Sequence, residues 1–178
     1  MRGLLIGRFQ PFHRGHLEVV RRIRADRPSA PLVIGVGTAD ESFTWENPFT
    51  AGERLEMIER ALLEAKVQGV HLVPIADIHR HALWVTYLEA LLPPFDRVYT
   101  NNPLTRLLFE RSGYTVESPP LFDRARYEGV RIREQLAEGS GWKESVPPAV
   151  AQYLEEIGAP LRMQTLKQAS TRSHRERS

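Results

Sequence analysis

Short apolar runs alternate with stretches of helical spacing along this chain. That alternation predicts an α/β fold, an open doubly wound parallel sheet of about five strands, Rossmann-like, with helices on both faces. Two further observations support it. The runs are bounded by glycine, proline or polar residues, as buried parallel strands are. The residues able to do chemistry cluster where the runs end, the edge at which open α/β sheets bind ligands.

The first strand is Gly3 to Gly7. Gly7 to Gly15 is a turn, because Pro11 and two glycines interrupt any regular pattern. From His16 the spacing is helical, with Leu17, Val19, Val20 and Ile23 apolar and Arg21, Arg22 and Arg24 between them. His13 and His16 therefore stand where a helix begins, and Arg8 stands at a strand end. Free backbone N–H groups and the positive end of the helix dipole make a helix start attractive to phosphate. Gly15 leaves room for a ligand to approach the backbone. The plainer role for both histidines is to cap the helix.

Pro28 to Pro31 is a turn, and Leu32 to Gly37 the second strand. Thr38 to Thr50 is a long polar loop carrying Phe43 and Trp45; such loops are often functional, although irregular packing explains it equally. Thr50 and Glu53 form a capping box for the next helix, whose buried face is Leu55, Ile58, Leu62 and Leu63. Val70 to Ile75 is the third strand, with Asp77 to His81 at its carboxyl end. A helix from Ala82 to Leu88 ends at Pro93-Pro94, and its Trp84 is either core or a ligand contact. Phe95 to Tyr99 is the fourth strand. The turn Thr100 to Pro103 opens a helix from Leu104 to Arg111, which Asn102 can cap, and Tyr114 to Glu117 is the fifth strand. Arg131 and Arg133 lie near the start of a further helix, where cations are disfavoured unless an anion is present. They are either a solvated basic face or a site for phosphates. A last amphipathic helix with Val150, Tyr153, Leu154 and Ile157 is stopped by Gly158 and Pro160.

The length of 178 residues suits one domain, residues 1–160, followed by a tail at 161–178. The tail holds Arg162, Lys167, Arg172, Arg175 and Arg177 against Glu176 and few apolar residues, so it reads as basic and disordered. The formal charge of +2 thus belongs to the tail, and no nucleic-acid partner is expected. The absence of cysteine excludes disulfides and thiolate chemistry. No stretch approaches the ~20 apolar residues of a membrane span, and the apolar run at Met1 to Ile6 is too short for a signal peptide. The expected location is the cytoplasm. Gly35-Val36-Gly37 leads into a polar loop, so the dinucleotide fingerprint of dehydrogenases is missing.

The block Gly7-Arg8-Phe9-Gln10-Pro11-Phe12-His13-Arg14-Gly15-His16 resembles the His-x-Gly-His signature of the nucleotidyltransferases, in the form of the archaeal nicotinamide mononucleotide adenylyltransferases. Asn47 to Arg54 resembles a second block of that family, and Asp77 to Trp84 its nicotinamide pocket. Gly129 and Arg133 resemble its second phosphate motif. The resemblance implies transfer of AMP from ATP to nicotinamide mononucleotide, giving NAD and pyrophosphate. It implies His13, His16, Arg8 and Arg133 as catalytic residues, and Gly7, Phe9, Gly15, Asn102, Arg126 and Gly129 as further ATP contacts. Phe12, Ile78, His81 and Trp84 would hold the nicotinamide nucleotide. Mg2+ would ride on the ATP phosphates, with no dedicated protein metal site. The family also suggests a homo-oligomer such as a hexameric ring. Three departures stand out: Glu46 where the family often has arginine, His81 for asparagine, and Val130 for threonine. Glu46 would repel phosphate or help hold magnesium. Two rivals remain: a nucleotidyltransferase with another phosphate acceptor, which these departures keep open, and a non-catalytic nucleotide-binding regulator, against which the intact His13, His16 and Arg133 speak.

Overall fold

The computed structural model describes residues 2–120, 122–123 and 127–175. Strand β1 (Arg2–Gly7) is followed by α1 (Arg14–Asp26), β2 (Leu32–Val36), α2 (Ala51–Glu64), β3 (Val70–Pro74) and α3 (His81–Leu91). Then come β4 (Phe95–Tyr99), α4 (Pro103–Arg111), β5 (Thr115–Glu117), α5 (Gly129–Glu138), α6 (Pro148–Glu156) and α7 (Ala159–Arg175). The five strands form one parallel sheet in the order β3-β2-β1-β4-β5. The chain winds outward from β1 in both directions, so the doubly wound sheet expected from the alternation is the one observed.

Successive residues of a strand face opposite sides, and the two cores follow from that period. Leu5 and Ile34 face a layer built with α1, α2 and α5–α7, through Val20, Met57, Ile132 and Leu154. Leu4, Val33 and Val98 face the layer of α3 and α4, through Val85, Leu88 and Phe109. Both central strands are thus covered on both faces, which is why they read as continuous apolar runs.

Three expectations need correction. Helix α1 begins at Arg14 rather than His16, because His13 is its cap. Leu63 is not core but 80 % exposed; the buried face of α2 is Arg54, Met57, Ile58, Ala61 and Leu62, about 100° away. From Leu161 to Arg175 the chain is helical rather than disordered, since α7 runs through it, and 176–178 lie outside the described residues. Gly158, at φ +64°, ends one helix, but Pro160 sits in the first turn of the next, where its missing N–H costs nothing. Ala159 and Met163 are fully buried, and Arg162 pairs with Glu53, so few apolar residues at the right spacing suffice to dock α7.

Candidate active site

The carboxyl ends of β1, β2, β3 and β4 converge on a cleft of about 380 Å³, at the place where the order of strands reverses. Ile6, Ile75, Trp84 and Leu108 supply apolar wall. Arg8, Asp77, Arg80, His81, Thr100 and Asn102 supply the polar groups. Trp84 serves both roles open to it: its ring meets Phe109 edge-on at 5.6 Å in the core, and it also lines the cleft. Asn102 likewise caps α4, accepting from the Thr105 N–H at 3.0 Å, while lining the cleft. Ile78 is half-buried and does not line it.

The start of α1 carries the second group. His13 Nδ1 accepts from the His16 N–H at 3.2 Å, and His16 Nδ1 accepts from the His13 N–H at 3.3 Å. This is a capping box made of two imidazoles, with rings stacked at 3.4 Å and 17°. Since each Nδ1 accepts, the hydrogen-bond pattern assigns the ring proton to Nε2 in both. Burial lowers the His13 pKa from 6.5 to about 4. Burial, and then the charge of His13, hold His16 well below its ordinary value. Both rings are therefore neutral at physiological pH and present an Nε2–H as their remaining donor. Capping and chemistry use different atoms of one ring and do not compete.

The surrounding residues hold this arrangement. Phe12 is fully buried and stacks on His16 at 5.5 Å, so its side chain backs the histidine rather than reaching the cleft. Phe9 is also buried, with φ +52°, a left-handed conformation that bulky residues rarely adopt. Its ring lies edge-on to His16 at 4.9 Å and fills the space beside Gly7, where a Cβ would come within 2.8 Å of it. Gly15 is required by neighbours rather than by a ligand alone: a Cβ there would lie 3.0 Å from the Cβ of Tyr127 and 3.2 Å from the His13 ring.

Arg133 on α5 is 5 % exposed and donates from Nη1 to the Gln10 carbonyl at 3.0 Å. Its Nε is buried without a protein partner. Gly129 allows this reach, because a Cβ there would stand 3.3 Å from Arg133 Nη1. Burial first, and then the charge of Arg8, lower the Arg133 pKa, while Glu46 and Glu134 act against them. Two arginines that repel each other beside a helix start form a place where an anion relieves strain. The carboxylate of Glu46 faces that same arginine electrostatically. Arg8 thus links the two groups: it lines the cleft and acts on Arg133. Arg126 lies outside the described residues.

Two buried side chains beside the candidate site are not legible as such in the sequence. Arg54 is fully buried and donates to the carbonyls of Arg8 (2.9 Å), Gly37 (2.6 Å), Thr38 (2.9 Å) and Thr50 (3.2 Å). It thereby joins the chain just after β1, the chain just after β2 and the start of α2. Burial and Arg8 push its pKa down to about 10, which leaves it charged at neutral pH. Its spacing to Met57, Ile58 and Ala61 was the available signal. Gln10, 5 % exposed inside the motif turn, pairs with the Phe49 backbone, and nothing local announces that partner.

The cytidylyltransferase-like family model matches residues 4–135. Curated nicotinamide-nucleotide adenylyltransferases are similar over nearly the whole chain. That of Picrophilus torridus is 47 % identical over 95 % of this chain and 99 % of its own. That of Archaeoglobus fulgidus is 43 % identical over 93 % and 97 %. A solved bifunctional NMN adenylyltransferase/ADP ribose pyrophosphatase from Francisella tularensis, complexed with AMP and a manganese ion, superposes with a TM-score of 0.73 at 21 % identity. The match covers 92 % of this chain and 51 % of that one, about half its length, and speaks to the fold. Identity of this extent, over end-to-end coverage of the archaeal relatives, places the chain within their group: it belongs to the nicotinamide-nucleotide adenylyltransferases of the cytidylyltransferase-like family.

Proposed function

We propose that this protein transfers the adenylyl group of ATP to nicotinamide mononucleotide, forming NAD and pyrophosphate. A phosphate oxygen of the mononucleotide forms the new bond to the α-phosphorus of ATP. The bond from that phosphorus to the bridging oxygen breaks, and pyrophosphate leaves with the electron pair. A nucleotide phosphate is already ionised near neutral pH, so the step needs no general base. Positioning and stabilisation of charge are what the protein must supply.

The observation that carries this reading is the reciprocal cap of His13 and His16. It leaves two neutral Nε2–H donors, fixed in tautomer, beside the positive end of α1. Such a donor raises the rate to the extent that its bond to the α-phosphate strengthens as charge grows there in the transition state. Arg8 and Arg133 take the departing pyrophosphate, and the unpartnered Nε of Arg133 is a donor still to be satisfied. Gly7, Asn102 and the main chain at Phe9, Gly15 and Gly129 complete the ATP site. Trp84 and His81 face the cleft and receive the nicotinamide nucleotide. The Phe12 side chain acts through His16.

Among the described residues no group of three or more His, Cys, Asp or Glu converges to hold a metal. Mg2+ is carried in on the ATP phosphates, the usual mode of an ion that takes few protein ligands. Among the described residues no helix is long and apolar enough to cross a membrane. The exposed Leu83 and Leu107 on α3 and α4 are the surface that assembly of several copies would cover, which light scattering would test.

The deciding assay follows pyrophosphate release from ATP and magnesium with nicotinamide mononucleotide, nicotinic acid mononucleotide, phosphopantetheine or no acceptor. Release with the pyridine mononucleotides alone is the expected result. Release only with phosphopantetheine moves the protein to another acceptor, and silence throughout with ATP still bound makes it a regulator.

A further inference from the structure

Gln10 makes a two-way clasp with a single residue. Its Nε2 donates to the Phe49 carbonyl at 3.0 Å, and its Oε1 accepts from the Phe49 N–H at 3.0 Å. Phe49 is fully buried, so both bonds are shielded from water and neither group has a ready substitute. The clasp joins the turn after β1 to the far end of the polar loop, 39 residues away. The main-chain carbonyl of the same Gln10 accepts from Arg133 Nη1 at 3.0 Å. One residue therefore ties together the histidine turn, the loop that leads into α2, and α5.

The direction of a peptide carbonyl is set by its backbone, and this backbone needs help to hold its course. Phe9, just before Gln10, sits at φ +52°, a conformation that persists only where the surroundings over-determine it. We infer that Gln10 is a positioning residue for ATP: by clasping Phe49 it fixes the direction of its own carbonyl, and so the direction in which Arg133 offers its guanidinium to the triphosphate. This rests on the proposed role of Arg133. A carboxamide suits the task because it is donor and acceptor at once. Glutamate would keep the acceptor and set a carboxylate oxygen against the Phe49 carbonyl. Methionine would fill the volume and leave two buried backbone groups unpaired.

The test is a double-mutant cycle on the full chain. Gln10→Met and Gln10→Glu are made in the wild-type and in the Arg133→Met background. ATP affinity is read by calorimetry without acceptor, and kcat and KM are measured for both substrates. In the wild-type background, Gln10→Met should weaken ATP binding and kcat/KM for ATP by about tenfold or more, the scale of lost buried hydrogen bonds. KM for the mononucleotide should stay unchanged. In the Arg133→Met background the same substitution should cost about twofold or less, because its target is gone. Gln10→Glu keeps one of the two bonds but sets a buried carboxylate against the Phe49 carbonyl, so its loss should be at least as large as that of Gln10→Met, with the same dependence on Arg133, and circular dichroism checks that both variants fold. Equal losses in both backgrounds, or equal losses for both substrates, would overturn the inference and leave Gln10 a purely structural residue. Coupling to Arg133 in ATP affinity, with no turnover even in wild type, would uphold Gln10 and overturn the proposed reaction instead.

Discussion

Acidifying the protein should destabilise it through His13 well before its carboxylates are neutralised. The imidazole is 7 % exposed and burial lowers its pKa from 6.5 to about 4. Between those two values the unfolded chain binds a proton that the folded chain refuses, so stability falls as pH falls through this window. A native value of about 4 against 6.5 makes the loss about 2 kcal/mol between about pH 7.5 and about pH 5. The test compares wild type with His13→Asn, which keeps a good N-cap and removes the titrating ring. Urea unfolding followed by circular dichroism at both pH values reads the change. Wild type should lose about 1 M more of its urea midpoint than the variant, for a slope of about 2 kcal/mol per molar. His16 titrates in both proteins and largely cancels. Glu53 contributes little in this window: Arg162 and the Thr50 N–H overcome the upward push of burial and hold its carboxyl below the usual 4.5. An equal loss in wild type and His13→Asn would refute the reasoning, and so would nitrogen NMR showing the proton of the folded His13 ring on Nδ1 at neutral pH.

Three other outcomes follow from the same geometry. His16→Ala should lower kcat by about 10²–10³ with a much smaller change in ATP affinity, since the lost donor acts mainly on developing charge; stopped-flow turnover and calorimetry separate the two. Arg162→Met breaks a two-bond pair with Glu53 at 2.7 and 2.8 Å, both side chains less than one-fifth exposed, and should cost about 2–3 kcal/mol by thermal unfolding. Trp84→Ala should raise KM for the mononucleotide far more than KM for ATP; a matched rise in both would remove Trp84 from the nicotinamide side of the cleft.

Much of the site was legible because it is local. The capping box of Thr50 and Glu53, read from spacing, is present with bonds of 3.1 and 2.8 Å. The helix start at His13 and His16 was read from one periodic change, and only its first residue differed. Asn102 caps α4 as its place before Pro103 suggested. Reading α7 failed for a local reason too: a polar, basic stretch with sparse apolar residues resembles a disordered one until Met163 finds its partners. Arg54 shows an intermediate case. It shares the periodic face of Met57 and Ile58, yet a charge on that face is easily passed over when its acceptors are carbonyls rather than carboxylates.

By itself, the order of residues determined the alternation of strands and helices, the caps at Thr50 and Asn102, the existence of a turn after Gly7 and the sheet edge where candidate site residues collect. Each depends on dihedral preferences and contacts within a few residues. Only the tertiary structure decided that Arg133 meets Gln10 across 123 positions and that Arg162 meets Glu53 across 109. A buried guanidinium donates to whichever oxygen folding brings near it, and which oxygen that is depends on how the sheet and helices pack, not on any pattern of neighbours along the chain.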